Sequence, residues 1–551
     1  MSDPTQRPIG RRTFLGIAGA AGVAAGCSPR AATQKVVPWI VPPEDIVPGV
    51  PLYYRTICRG CAAGCGVTAR TREGRAVKLE GNPEDPIGAG ALCARGQAEL
   101  QALYHPERFK GPLRKGADGK LAPLAWDAAE DALAQAIAAA RAKGPGRVRL
   151  LTRPEPGSAG ALQRAFLAAA GARPEDRVVL DPLDPAPVRA ASLALFGRAE
   201  LPVLDLAGAR TIVALGADLF ETFGSPIEAA RQLAEGRGRV GPERTRTIWV
   251  GPRLSLTGLT ADRWVRVRSG GELPFALGVL RWLADPANAV PGLAPDAPAL
   301  LRSLLALAPK DLAARAGVGE AEIAAVAREL SRRRPSALAG PGPAAQGPDA
   351  AQLAAVVLLA NHVLGNVGKT VLYGLDPLLD PPSPFTAVEA LLRDAAAGQV
   401  DVLLVHHADP VGALPAALGA AAALDRVPLV ATFALRPGPT TAHARLVLPD
   451  RHTLEAFGDV EPRRGVVNLG QPVMTPLADT REAAQVLLDV GARLPPATPP
   501  LPGGDVADWH DERVKALLAA AGSAADPDGA LREARQRGGI WSDASGARVV
   551  P

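Results

Sequence analysis

The stretch that decides the fold reads Ile57-Cys58-Arg59-Gly60-Cys61-Ala62-Ala63-Gly64-Cys65-Gly66, and it is completed by Cys93-Ala94-Arg95-Gly96-Gln97. The spacing is C-x2-C-x3-C-x27-C, and apart from Cys27 the 551 residues contain no other cysteine. Three thiolates in one short loop and a fourth brought back by a later turn can occupy the four corners of an iron–sulfur cube. Two other readings compete. A structural zinc site usually carries two short Cys pairs, and here only Cys58 and Cys61 form one. A pair of disulfides suits an exported chain, but disulfide frameworks belong mostly to small domains with little core. The spacing favours a [4Fe-4S] cluster over both.

Toward the N-terminus, Arg11-Arg12-Thr13-Phe14-Leu15 matches the twin-arginine export pattern. The apolar run that follows, Leu15 to Ala25, is too short to span a bilayer. A route that carries folded proteins suits a cofactor inserted before export. The run ends in Ala24-Ala25-Gly26-Cys27, small residues before a cysteine as at a lipoprotein processing site, which makes Cys27 a candidate lipidation residue. A lipid there would hold the protein at a membrane surface. No other segment approaches about 18 uninterrupted apolar residues. Residues 28–50 form a proline-rich arm, expected to lie extended over a surface because proline fixes φ and removes donors.

Composition bounds the rest. With 47% apolar and 21% charged residues a normal globular core is expected, in two to four domains or subdomains. Glycine (58) and proline (54) stay below the level that signals disorder. The net charge of +5 is small for this length, and no basic block is interleaved with aromatics, so nucleic-acid binding has no support.

Residues 51–110 read as the cysteine domain, with Val67–Arg70 and Ala76–Leu79 flanking Arg72-Glu73-Gly74 as a β-hairpin. A helix follows over Ala125–Ala142. Strands are expected at Arg147–Leu151, Arg177–Leu180, Thr211–Leu215, Arg246–Val250, Val402–His406, Leu429–Phe433 and Arg445–Leu448, separated by helices. That alternation predicts an α/β fold of doubly wound parallel sheets. Two such subdomains are expected, 111–335 and 336–495, with a looser stretch around 285–345 between them. Residues 496–551 read as a helix and an irregular tail.

Several segments together resemble the molybdopterin oxidoreductase superfamily. They are the cysteine loop with Cys93–Gln97, Tyr104-His105-Pro106-Glu107-Arg108, and Gly81-Asn82-Pro83-Glu84-Asp85-Pro86. Gly216-Ala217-Asp218, Asp262-Arg263-Trp264 leading to Gly270-Gly271-Glu272, and Leu448-Pro449-Asp450 with Glu455 and Gly458 fit the same family. Within it, Val41–Gly49 with Pro51-Leu52-Tyr53-Tyr54, Pro252–Gly258 and Gly470–Met474 look like the large periplasmic subunit of alternative complex III, with polysulfide reductase-type catalytic subunits next. The resemblance implies a small iron–sulfur domain before two α/β subdomains. It implies a [4Fe-4S] cluster on Cys58, Cys61, Cys65 and Cys93 and a periplasmic place at the membrane. The implied partners are a polytopic quinol-binding membrane subunit, a multi-cluster ferredoxin-like subunit and a multi-haem cytochrome subunit.

The family also implies molybdopterin guanine dinucleotide. Gly216, Asp218, Gly270 and Glu272 stand at its nucleotide-contact positions, although members often have Gly-Thr-Asp where this chain has Gly270-Gly271-Glu272. Arg95 holds a place where related enzymes keep a basic residue between cluster and pterin; the plainer reading is a surface arginine paired with a carboxylate. His406 and His407 end a strand that leads to the pterin crevice. Adjacent strand residues point to opposite faces, so the pair is not expected to share one ion, and pocket lining competes with plain loop packing. Gly365-Asn366-Val367-Gly368-Lys369 lacks P-loop spacing and reads as a helix C-cap turn.

Two departures weigh on function. The polysulfide reductase branch adds a cysteine ligand to molybdenum from the α/β region, and this chain has no cysteine after Cys93. Full-length family enzymes also continue into a largely β domain, which is expected to be absent here, as is a ferredoxin-like extension. The expectation is an exported iron–sulfur subunit of a membrane-attached respiratory complex without a working molybdenum site. The alternatives are an active molybdenum bis-pterin reductase of polysulfide reductase type, and a non-redox assembly subunit with a zinc or empty cysteine site.

Overall fold

In the computed structural model, which describes residues 47, 49–345, 347–495, 501, 503–522 and 526–542, the first sheet forms around a turn written into the sequence. The twin-arginine segment, Cys27 and nearly all of the proline-rich arm lie outside the described residues. The chain divides into two units, residues 1–50 and 51–551, and the second holds every described strand and helix. Strands β1 (Leu52–Ile57), β2 (Gly66–Arg72) and β3 (Arg75–Gly81) pair antiparallel in that order. Glu73 and Gly74 both have positive φ, 46° and 73°. That is the backbone of a two-residue type I′ turn, whose twist suits a hairpin. Along β2, Val67, Ala69 and Thr71 are buried while their neighbours Thr68, Arg70 and Arg72 are not, the period of two expected of a half-buried strand. In β3 the buried Ala76 and Leu79 are three residues apart. A bulge accounts for it: Arg70 pairs with Lys78 and Thr71 with Ala76, which leaves Val77 as the extra, exposed residue.

The chain continues through β4 (Leu113–Lys115), β5 (Leu121–Pro123), β6 (Val148–Thr152) and β7 (Arg177–Val179). It then builds β8 (Val203–Leu204), β9 (Thr211–Leu215), β10 (Arg246–Val250), β11 (Arg263–Val265), β12 (Ser336–Ala339) and β13 (Val371–Leu372). Next come β14 (Val402–His406), β15 (Leu429–Thr432), β16 (Leu446–Val447), β17 (Gly458–Arg463), β18 (Val466–Gly470) and β19 (Gly539–Trp541). A seven-stranded sheet has the order β5-β4-β16-β15-β14-β6-β7 and is parallel from β16 to β7. A four-stranded sheet, β11-β10-β9-β12, is parallel throughout. All five residues of β9 are buried, as a parallel strand covered on both faces requires.

The division expected at residues 335/336 does not follow these sheets. β12 pairs with β9, and β14 pairs with β6. The four-stranded sheet is thus an insertion between β7 and β14. Sequence order shows which units are βα, but pairing is settled by which apolar faces bury together. Val148 and Leu150 share one core with Val402 and Leu404. Nor is 285–345 a loose divider. It holds the helices Ala297–Leu307 and Glu320–Arg332, whose Leu301, Ile323, Val326 and Leu330 pack with Val213 and Leu215.

The stretch beyond 496 is also more regular than expected. Helices Val506–Ala520 and Pro527–Arg537 begin at Asp505 and Asp526, whose side chains accept from the amides of Ala507 and Gly529. The aspartates and proline that read as loop are helix starters. Val514, Leu518 and Leu531 then bury against Val467 and Leu469, and β19 completes a small antiparallel sheet with β17 and β18. The helix Ala350–Val363 ends as the sequence suggests. Gly365 (φ 69°) donates to His362 O and Asn366 to Asn361 O, both at 2.9 Å, a Schellman turn. Among the described residues no helix is long and apolar enough to cross a membrane.

One buried carboxylate gives the fold a pH signature. Glu482 accepts from Arg451 and from the Phe457 amide, yet burial pushes it up to about 7. An unfolded glutamate titrates near 4.3. Native protein therefore binds this proton more tightly than unfolded protein. Its contribution to stability is complete below about pH 4 and is lost as pH rises through about 7. Glu482→Gln is expected to remove this loss, about 3–4 kcal/mol in full for a shift of that size, of which about 2–3 kcal/mol falls between pH 5 and pH 8. Denaturant unfolding at pH 5 and pH 8 checks it, and an unchanged pH dependence would refute it.

Candidate metal centre and adjoining cavity

Local structure gathers the four cysteines. Cys58 follows β1 and Cys65 precedes β2, and the Cys58 amide donates to Cys65 O at 2.9 Å, closing the loop. Cys93 is returned by the segment 82–91. There the fully buried Asp85 accepts from the amides of Gly66 (3.0 Å), Ile87 (3.1 Å) and Gly88 (3.2 Å). One carboxylate thus ties the end of the cysteine loop to the turn before the fourth cysteine, and Cys93 sits at the N-cap of the helix Ala94–Leu103. Tyr104 Oη donates to Ala76 O at 2.7 Å, and Arg108 forks onto Glu455 at 3.1 and 2.6 Å.

Gly81 lies where this turn crosses β3, and a Cβ there would collide with the Ala91 backbone. Gly81→Ala is expected to push residues 88–91 outward and displace Cys93. The expected cost is about 1–3 kcal/mol, as for other overpacked sites. Iron content measured after reconstitution should fall as well; full iron with unchanged stability would show that the crossing is not constraining.

Cys58 and Cys65 are buried, and Cys61 and Cys93 are partly exposed; all four are free thiols. Burial pushes Cys58 up to about 12 and Cys65 higher still, with Cys61 and Cys93 adding to both shifts and Cys58 adding to that of Cys65. The four therefore share one neighbourhood, in which bare thiolates are unfavourable. A metal group that supplies positive charge removes that penalty, so the donor set fits one. Among the described residues no three of the sulfurs lie within 4.8 Å of one another. A zinc tetrahedron with bonds of about 2.3 Å needs edges of about 3.8 Å, whereas a cube holds its corner thiolates farther apart. The Gly60 amide points at Cys58 Sγ from 3.5 Å, a contact of the kind that tunes such centres.

A buried polar cluster adjoins the cysteine loop. Arg59 pairs with Glu155 Oε2. Arg153 donates from Nε to Glu155 Oε1 at 3.1 Å and from Nη1 to Arg59 O at 2.8 Å. His407 Nδ1 lies 3.1 Å from Glu155 Oε1 and its Nε2 3.3 Å from Asp450 Oδ2, which also meets His406 Nε2 at 3.2 Å. The two rings stack with centroids 3.9 Å apart. The strand-alternation expectation fails here because His407 has φ 52°. The left-handed turn at the end of β14 brings its ring round to the side of His406.

A cavity of about 560 Å³ opens between the cysteine loop and the two parallel sheets. Its wall includes Cys58, Cys61, Arg95, Arg153 and His407. Topology explains the location. The strand order reverses between β6 and β14 in one sheet and between β9 and β12 in the other. The loops after those four strands, 153–156, 219–226, 340–343 and 407–409, all reach the cavity. Crevices at the carboxyl ends of strands at such reversals are where α/β folds bind ligands.

The residues singled out from sequence are distributed unevenly around it. Arg95 is exposed on the wall and, among the described residues, has no ion pair or hydrogen bond. His406 is buried behind His407. Gly216 (φ 62°) leads from β9, and a Cβ there would crowd Ala345. Asp218 is turned inward, accepting from Thr257 Oγ1 at 2.5 Å. Glu272 is buried at the start of the helix Glu272–Ala284, where burial raises its carboxyl. None of Gly216, Asp218, Gly270, Glu272 and His406 is on the cavity wall. Sequence reading passed over Arg59, Arg153 and Glu155; the signal was a charged pair at the end of an apolar strand, Leu150-Leu151-Thr152-Arg153-Pro154-Glu155.

A pyrophosphate-bearing cofactor is held by free cations or by backbone amides at a helix N-terminus. Of the four arginines on the wall, Arg59 and Arg153 are committed to Glu155, and Arg463 to Glu228 at 2.8 Å. Among the described residues of the wall only the Arg95 guanidinium is uncommitted, so charge pairing from arginine side chains would contribute little to holding a pterin dinucleotide.

Comparison with known proteins agrees with the geometry. Residues 52–105 match the family described as "Molybdopterin oxidoreductase Fe4S4 domain", whose cofactor is a [4Fe-4S] cluster. The menaquinone reductase, molybdopterin-binding-like subunit of Nitratidesulfovibrio vulgaris is 29% identical over 473 residues, 83% of this chain and 67% of that one. The thiosulfate reductase molybdopterin-containing subunit of Salmonella typhimurium is 24% identical over 380 residues, 66% of this chain and 47% of that one. This chain therefore spans about half of the latter. The structure of acetylene hydratase from Pelobacter acetylenicus superposes with a TM-score of 0.66 at 15% identity, covering 80% of this chain and 69% of that one, a likeness of fold. Residues 52–105 thus match that iron–sulfur domain, and over most of its length the chain is similar to molybdopterin oxidoreductase subunits.

Proposed function

We propose that this protein is an exported iron–sulfur subunit of a quinone-linked, membrane-attached respiratory oxidoreductase, and that it works without a molybdenum site. Cys58, Cys61, Cys65 and Cys93 hold the cluster, which when bound supplies one-electron transfer. The observation that carries this reading is the cavity wall, where the four-cysteine set adjoins a cavity with one uncommitted arginine. The lack of any cysteine after Cys93 supports it too. The quinone link rests on the relative named menaquinone reductase, and the resemblance to alternative complex III points the same way. The partners would be a polytopic quinol-binding subunit, a multi-cluster ferredoxin-like subunit and a multi-haem cytochrome subunit. Export rests on Arg11-Arg12, with Cys27 as a lipid anchor at the periplasmic face.

A second reading, a molybdenum bis-pterin reductase, is favoured by one observation: the cavity stands at both strand-order reversals. Metal analysis of the purified protein decides between them. About four irons per chain without molybdenum is expected. Stoichiometric molybdenum with extractable pterin would overturn the proposal, and zinc alone would indicate an assembly subunit.

A further inference from the structure

We propose that His407 is a proton-binding site linked to the four-cysteine centre, so that one proton binds His407 when one electron enters that centre. The inference rests on the iron–sulfur reading above. The first observation is that both ring nitrogens of His407 face carboxylate oxygens, Glu155 Oε1 at 3.1 Å and Asp450 Oδ2 at 3.3 Å. A neutral imidazole has one N–H and satisfies one of these acceptors; the imidazolium satisfies both.

His406 cannot take this role. Arg177 Nε, which can only donate, meets Gln163 Oε1 at 3.0 Å. That fixes the amide, so Gln163 Nε2 donates to His406 Nδ1 at 3.0 Å. His406 therefore carries its proton on Nε2, toward Asp450, and stays neutral. The same argument disfavours a metal ion at Glu155, His406 and His407, although their donor atoms lie within 4.8 Å. The open nitrogen of His406 is taken, and Glu155 already holds two guanidiniums.

The charges around His407 are finely opposed. Arg153 and Glu155 reach it from the loop after β6 and Asp450 from the loop after β16, while Arg59 stands beyond Glu155 on the cysteine loop. His406 and Asp409 flank it on its own segment, where Asp409 is occupied by Thr440 and the Gly412 amide. Burial, His406 and Arg153 hold His407 well below the usual imidazole range against the pull of Asp450. The neutral ring leaves one of these two carboxylate contacts unmet.

An electron added at the cysteines brings negative charge to the wall that His407 shares with Cys58 and Cys61. The imidazolium is the form that this charge favours. The electron comes from the reductant, the proton comes from solvent through the cavity, and no bond between heavy atoms forms or breaks. By reciprocity, a centre whose reduction promotes protonation is harder to reduce as protons become scarce.

The test is a spectroelectrochemical titration of the iron-loaded full chain from pH 5 to 8. The midpoint potential should fall as pH rises, by at most about 59 mV per pH unit for one electron and one proton. His407→Asn, which tolerates the left-handed backbone, should flatten the slope while iron content and visible absorption stay unchanged. A pH-independent potential in the wild-type protein would overturn the proposal, and that measurement needs no variant. So would an unchanged slope in His407→Asn. Protein that binds no iron would overturn the iron–sulfur reading itself, a different outcome from an iron-loaded protein with a flat potential.

Discussion

Cys65→Ser is expected to remove the iron from this protein while leaving its α/β body folded. Cys65 is buried among Cys58, Val67, Leu79 and Leu103, and its carbonyl closes the loop by accepting from Cys58 N. Serine preserves that backbone bond and nearly the same volume. What it removes is a thiolate, the ligand on which such clusters depend. Iron should drop from about four per chain to less than about one, and the visible absorption should vanish. Far-ultraviolet circular dichroism should change little, because the two large sheets draw their cores from other residues. Cys27→Ser is the matched control and should keep all its iron. Full iron in Cys65→Ser would mean that the cluster, if present, is held elsewhere.

The second large effect is expected at Arg108. Its guanidinium forks onto Glu455, donates also to Leu103 O at 2.9 Å, and with its partner is almost wholly buried. Glu455 in turn accepts from the amides of His452 and Leu477. This pair joins the cysteine domain to the loop between β16 and β17. Removing one member of a buried pair strands the other charge, at a cost of about 3–5 kcal/mol. Arg108→Met should show that loss in denaturant unfolding. The double variant Arg108→Met/Glu455→Gln should recover part of it, because the stranded charge is then gone. A loss below about 1 kcal/mol would show that water or a neighbouring group compensates Glu455.

The parts of this protein legible in its sequence are those with short-range causes. The Glu73-Gly74 turn follows from residues that accept positive φ, and the Gly365-Asn366 cap from a glycine at a helix end. Strands such as Thr211–Leu215 and Val402–His406 follow from short apolar runs between helices. The centre is local as well: three of its cysteines lie within eight residues, and Asp85 returns the fourth.

The misreadings have long-range causes. β14 joins β6 across an inserted sheet because their apolar faces complete one core, and nothing in either strand alone records the partner. The tail around Val514 and Leu531 becomes ordered because β18 offers an apolar face to cover. His407 reaches Glu155 only because its backbone turns left-handed at the end of β14, which reverses the alternation that strand periodicity implies.

By itself, then, the sequence determined the four-cysteine spacing of the iron–sulfur domain, its turns and the α/β class, because each depends on residue chemistry over a few positions. Only the tertiary structure decided which strands share a sheet and where the two strand-order reversals meet. It also decided that a histidine and two arginines from distant loops converge beside the cysteines. Those arrangements depend on burying apolar faces and pairing charges across hundreds of residues, and no local pattern encodes them.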